Sequence, residues 1–130
     1  WSRTNNIKIL GVCRGFQLLN YYFGGTIERV NSDDHVAKIH NVNIIDKMTR
    51  ETFDSDSIIA NSFHNKGVLR SGLAPGLIPF ATANDGNVEG FFVEGSPILG
   101  IQWHPERLIQ DNILNSMLPT NFIKKGPWWL

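Results

Sequence analysis

Three side chains of this 130-residue sequence could act together on a carbonyl: Cys13, His104 and Glu106. Cys13, the one cysteine, sits in Gly11-Val12-Cys13-Arg14-Gly15. An apolar run precedes that stretch and a helical pattern follows it. This is the cysteine form of the G-x-S-x-G elbow, in which a sharp strand-to-helix turn lifts a nucleophile to a helix N-terminus. Unpaired N–H groups and the helix dipole there favour thiolate over thiol. The backbone N–H of Arg14 is placed to hold an oxyanion. The two glycines are expected because a Cβ on either side of so tight a turn would crowd its neighbours. A lone cysteine often only packs, but strand, paired glycines and helix coincide here and point to reactivity.

A thiol nucleophile needs a base, and the base needs an orienting partner. His104 follows an apolar stretch and precedes Pro105-Glu106. Proline biases the residue before it towards extended backbone. In an extended segment residues two apart project to the same side, with Cα atoms about 6.6 Å apart. Glu106 could therefore hold one imidazole nitrogen while the other faces the thiol, as in a catalytic triad. Standing alone, a histidine beside a carboxylate is more often a surface pair. With an elbow in the same short chain, the catalytic reading is the better one.

The elements that must position these groups alternate between strand and helix. Residues 7–12 read as a buried strand. Phe16, Leu18, Leu19, Tyr22 and Phe23 recur at helical spacing until Gly24-Gly25 stops them. Residues 40–45 alternate as a half-buried strand, and 57–60 form a shorter one ending at Asn61-Ser62. Residues 77–83 and 88–94 flank the turn Asn84-Asp85-Gly86, which predicts a hairpin. Residues 98–103 form the next strand. Leu108, Ile109, Ile113 and Leu114 predict a closing helix that Pro119 should end or kink. The sum is an α/β chain, read as a single domain over 1–130.

Composition narrows the function classes. Hydrophobic residues make up 42% of the chain, enough for a packed core. Twelve Lys and Arg balance twelve Asp and Glu, whereas nucleic-acid binding calls for a basic surplus. No apolar run reaches the ~18–20 residues of a membrane span. One cysteine excludes a disulfide framework and a cysteine-based zinc site, and the histidine spacing offers no metal-ligand set. The expectation is a cytoplasmic protein with neither metal nor cofactor, contacting neither nucleic acid nor membrane. The terminal Trp128-Trp129 pair suggests packing against the domain rather than an interaction patch.

The two blocks Gly11-Val12-Cys13-Arg14-Gly15-Phe16-Gln17 and Gly100-Ile101-Gln102-Trp103-His104-Pro105-Glu106 resemble the signatures of class I glutamine amidotransferases. Asn61-Ser62-Phe63-His64-Asn65, with His35 and the run His40-Asn41-Val42, resembles the γ-glutamyl hydrolase-like branch. The resemblance extends from about residue 7 to residue 106. It implies a partial flavodoxin-like amidotransferase domain, with a mostly parallel central sheet and an added antiparallel hairpin. It also implies hydrolysis of the γ-amide of glutamine, or of a γ-glutamyl compound, through a cysteinyl thioester.

Carried over by position, Cys13 is the nucleophile, His104 the base and later acid, and Glu106 the orienter. Arg14 supplies an oxyanion N–H. Gln17, Ser62, Phe63 and His64 contact the glutamyl substrate; apart from the resemblance they read as a helix-surface residue, loop residues and a solvated histidine. Lys66 stands where relatives often have Gln. The resemblance starts at the nucleophile strand, without the family's N-terminal part and its glycine-rich loop, source of a second oxyanion donor; the expectation is part of a longer protein, a truncated copy, or a partner chain that supplies the rest. Three functions compete: a stand-alone γ-glutamyl hydrolase, a glutaminase subunit feeding ammonia to a synthase partner, and an inactive remnant or binding module.

Overall fold

A computed structural model describes residues 6–30, 38–107 and 113–130. His35, Leu108 and Ile109 lie outside the described residues. Strand β1 (Ile9–Val12) runs into helix α1 (Arg14–Tyr22), with Cys13 as the N-cap residue between them. A short strand β2 (Glu28–Arg29) and a longer β3 (Lys38–Ile44) come next, followed by helix α2 (Lys47–Phe53) and strand β4 (Ser57–Ser62). Strands β5 (Lys66–Leu69), β6 (Leu77–Ala83), β7 (Asn87–Val93) and β8 (Ile98–Ile101) complete the sheet, and helix α3 (Leu114–Lys125) closes the chain. The α/β expectation holds. β2, β5 and α2 have no counterpart in the sequence reading.

The main path of the sheet runs β1-β8-β7-β6-β3-β4, with β5 on β7 and β2 on β5. Among the described strands only β1 and β8 pair in parallel, in the register Ile9↔Ile98 to Val12↔Ile101. The remaining pairs are antiparallel. The expected mostly parallel sheet is therefore a mixed one. The physical reason is connection length: a parallel pair needs a long crossover, whereas the turn at Asn84-Asp85-Gly86 joins β6 to β7 too tightly for anything but an antiparallel pair. The predicted hairpin is present.

Both faces of the sheet are covered, which explains why β7 and β8 are buried along their whole length. One core gathers Phe80, Phe92, Leu99, Ile101 and Trp103 against Leu118 and Phe122 of α3. The other packs Phe91, Val88 and Ile98 against Phe16 of α1. The inward face of α1 consists of Phe16, Leu19 and Asn20, continued by the C-cap residue Phe23, at the i, i+3, i+4, i+7 spacing of a single stripe. Leu18 and Tyr22, counted into that stripe from sequence, face solvent at 65% and 79% exposure. Asn20 takes their place: its Nδ2 donates to the carbonyls of Thr26 and Gly72, and its Oδ1 accepts from Ala74 N.

Helix α3 neither stops nor breaks at Pro119. A proline at this position leaves the carbonyl four residues back, that of Asn115, without its helical donor. The indole N–H of Trp103 donates to that carbonyl at 2.7 Å, so the usual penalty is offset by a side chain from the core. The terminal tryptophans pack as expected. Trp129 stacks on Phe92 and Phe122, and its N–H donates to Val93 O and Ser96 O. Trp128 donates to Thr49 Oγ1.

Candidate active site

Parallel pairing of β1 with β8 brings the two sequence blocks together. Cys13 N donates to Ile101 O at 2.9 Å, extending the ladder by one residue. Cys13 therefore leaves the carboxyl end of β1 beside the carboxyl end of β8, from which Gln102, Trp103 and His104 continue. Crevices at the carboxyl ends of such strands are where α/β sheets place their ligands.

The elbow is sharp. Cys13 has φ +53° and ψ −102°, in the left-handed half of the map that side chains rarely occupy. Gly11 makes the turn possible, because a Cβ there would lie 2.5 Å from Leu19 Cδ1 and 2.8 Å from Gly15 O. Gly15 differs from expectation: a Cβ added there meets nothing within 4 Å. No close neighbour among the described residues requires the second glycine.

Burial pushes the Cys13 thiol above its ordinary value. The backbone N–H of Arg14, the charge of Arg107, a hydrogen bond from Gln102 and the charge of Arg14 all pull it down, and together they do not win. The helix N-terminus acts in the direction expected from the sequence, and desolvation opposes it more strongly.

His104 and Glu106 meet as expected, with His104 Nδ1 2.6 Å from Glu106 Oε1. Burial works to raise the Glu106 carboxyl, but its own backbone N–H, the His104 hydrogen bond and the charges of His104 and Arg107 hold it below the usual carboxylate range. Among the described residues no hydrogen bond joins His104 to Cys13; the bond to the sulfur comes from Gln102 Nε2, at 3.6 Å.

A cavity of about 640 Å³ opens at the elbow, lined by Cys13, Arg14, Gln17, Phe63, His64 and Lys66 together with β2 residues. Gln17, Phe63 and His64, the residues that the resemblance assigns to the substrate, all line this cavity. Gln17 turns its amide nitrogen to Lys66 O (2.8 Å) and Gln102 Oε1 (3.2 Å). Ser62 is buried at the end of β4, outside that lining. His64 is not a solvated histidine: it is buried, with Nδ1 2.7 Å from Lys66 O and Nε2 3.6 Å from Glu89 Oε1. Glu89 is itself buried and also faces His40 Nε2 at 3.8 Å.

Three contributors have no role in the sequence reading, although Asn61 and Gln102 stand inside the stretches that carry the resemblance. Buried Asn61 binds His104 N, His104 O and Arg107 O. Arg107 lies over the Phe63 ring at 4.2 Å and acts electrostatically on the thiol. Gln102 contacts the sulfur. Its polarity inside the apolar stretch 98–103, together with its place in the block that carries the resemblance, could have pointed to Gln102. Among the described residues no three His, Cys, Asp or Glu side chains gather to hold a metal ion, and no helix is long and apolar enough to cross a membrane.

A family model described as Peptidase C26 matches residues 2–106. A γ-glutamyl-CDP-amidate hydrolase of Campylobacter jejuni is 33% identical over 85% of this chain and 47% of its own length. A GMP synthase (glutamine-hydrolysing) of Bacillus mycoides is 29% identical over 77% of this chain and 19% of its own length. The crystal structure of a glutamine amidotransferase from Thermotoga maritima superposes with a TM-score of 0.67 at 19% identity, covering 98% of this chain and 54% of that one. The last likeness shows a shared fold. The chain spans about half the length of the first curated relatives it matches.

Proposed function

Since the chain belongs to the peptidase C26 family of class I glutamine amidotransferases, we propose that it cleaves the γ-amide of glutamine or of a γ-glutamyl compound, with Cys13 as nucleophile. One observation carries this reading: the strained Cys13 elbow shares the carboxyl end of a parallel strand pair with a His104–Glu106 couple at 2.6 Å. His104 takes the thiol proton as the sulfur attacks the γ-carbonyl carbon. The Arg14 N–H stabilises the developing oxyanion. The C–N bond then breaks, and His104 returns its proton to the departing ammonia or amine, leaving a glutamyl thioester on Cys13. Water gives a proton to His104 and attacks the thioester. The C–S bond breaks, glutamate leaves and the thiol is restored. Glu106 orients the imidazole throughout.

In the resting site the Cys13–His104 contact is not made, a common state for catalytic hydrogen bonds before substrate binds. The substrate's glutamyl end is assigned to the cavity beside Gln17, Phe63 and His64, with Ser62 supporting it from β4. Residues 1–130 are read as one domain portion. A second oxyanion donor would come from sequence corresponding to the relatives' further length, or from a partner chain. A reducing, cytoplasmic setting suits a mechanism that depends on a free thiol.

Likeness to a glutamine-hydrolysing GMP synthase favours a second reading, a glutaminase unit passing ammonia to a synthase partner. Glutamate release from glutamine and from γ-glutamyl amines separates the possibilities. Release without a partner, abolished by Cys13→Ala, supports the hydrolase. Release only when a synthase is added selects the second reading. A folded protein silent on every substrate with and without a partner is a binding module, and the proposal fails.

A further inference from the structure

We propose that Gln102 is the hydrogen-bond donor that supports the Cys13 thiolate, and that Gln17 locks it in that orientation, so that a relay of two side-chain amides governs how readily the nucleophile ionises. The inference deepens the hydrolase reading, because it concerns the same thiol.

The direction of the relay follows from its far end. A backbone carbonyl only accepts hydrogen bonds, so the Gln17 atom 2.8 Å from Lys66 O must be its amide nitrogen. The same nitrogen lies 3.2 Å from the Gln102 side chain. An N–H facing an N–H would repel, so Gln102 presents its oxygen there. Its own nitrogen is then left facing Cys13 Sγ at 3.6 Å, a contact distance for a donor on the large sulfur atom. His64 Nδ1 shares Lys66 O at 2.7 Å and must also carry a proton. Lys66 O is therefore the fixed point of the chain, and because it belongs to the backbone, the lysine at this position does not break the relay.

Burial and backbone bonding make the arrangement rigid. Gln102 is almost wholly buried, and its backbone N–H donates to Glu89 O at 2.8 Å. An amide is neutral across the working pH range, so its N–H stays aimed at the sulfur whether the neighbouring imidazoles are charged or not. Donors to an anion are roughly twice as strong as neutral pairs, so the bond favours thiolate over thiol and partly offsets the burial that opposes ionisation. Gln102 touches the reacting atom; Gln17 acts through it as a positioning residue.

The test is the pH dependence of Cys13 alkylation by iodoacetamide in the whole chain, without substrate. Gln102→Met keeps length and removes the donor. The apparent thiol pKa should rise and labelling near neutral pH should fall about tenfold, the size of one charge-assisted hydrogen bond. Gln17→Met should move the profile the same way by less, since Gln102 is then free to turn. An unchanged profile in folded Gln102→Met overturns the proposal. Should that buried substitution prevent folding, the partly exposed Gln17→Met decides: a raised profile supports the relay and an unchanged one overturns it. Alkylation reads the thiol directly, so a failed relay leaves hydrolysis standing, and absent hydrolysis leaves the relay measurable.

Discussion

Asn61 grips the backbone of His104 from both sides. Its Oδ1 accepts from His104 N at 2.9 Å, and its Nδ2 donates to His104 O at 2.7 Å. A third contact reaches Arg107 O at 3.3 Å. Strand β4, through Asn61 near its end, thus holds the turn that carries His104, Glu106 and Arg107, although 43 residues separate Asn61 from His104.

Asn61→Ala should strip the part-buried His104 N–H of its partner and leave His104 O only the bond from Arg107 N at 3.2 Å, at a cost of about 1–3 kcal/mol. It should also lower kcat by at least about tenfold with little change in KM, because a misplaced base harms the chemical step more than binding. Thermal denaturation and steady-state glutamate release check both halves. Full activity in the variant would show that the His104 turn holds itself.

Glu106→Gln keeps the shape of the side chain and removes the charge that faces His104 Nδ1. Turnover should fall by about 10²–10⁴-fold, as expected for losing the orienter of a triad base. Stability should change by less than about 1 kcal/mol, since the carboxylate is largely exposed and screened. Activity equal to the parent would remove Glu106 from the mechanism.

Cys13 binds its proton more tightly in the folded chain than in the unfolded one. Its contribution to stability is therefore complete below the unfolded thiol's value and is lost as pH rises through the folded one. Alkylation without substrate should be slower near neutral pH than that of a free cysteine, rising only in the alkaline range. Arg107→Ala should raise the thiol pKa further and slow labelling by about two- to fivefold, an effect that shrinks with added salt. Faster labelling than free cysteine would contradict the dominance of burial.

The elbow glycines should behave oppositely. Gly11→Ala drives a Cβ against Leu19 Cδ1 and Gly15 O, and should destabilise by about 1–3 kcal/mol. Gly15→Ala meets open space inside a helix and should stabilise by roughly 0.5–1 kcal/mol. Paired denaturant titrations decide the matter, and equal effects would mean that the turn is shaped by something other than close approach.

Legibility varied with the range of the interaction. The Cys13 turn and the His104-Pro105-Glu106 couple were readable because each is local: glycines beside a cysteine, and a histidine and carboxylate two residues apart. The hairpin was readable from its turn residues. Leu18 and Tyr22 misled because apolar residues at near-helical spacing do not say which of them faces inward, and a buried Asn20 replaced them. Pro119 misled because the donor to Asn115 O comes from Trp103, on another element.

By itself, then, the sequence determined which atoms are available for reaction and the short segments that carry them, since propensity, turn chemistry and i, i+2 geometry act within a few residues. Tertiary structure alone decided that β1 and β8 lie side by side, that Asn61 clamps the backbone of His104, that Gln102 faces the sulfur while Gln17 holds Gln102, and that burial pushes the thiol up. These depend on burial and on partners distant along the chain, and desolvation is a property of the assembled surroundings that no local pattern records.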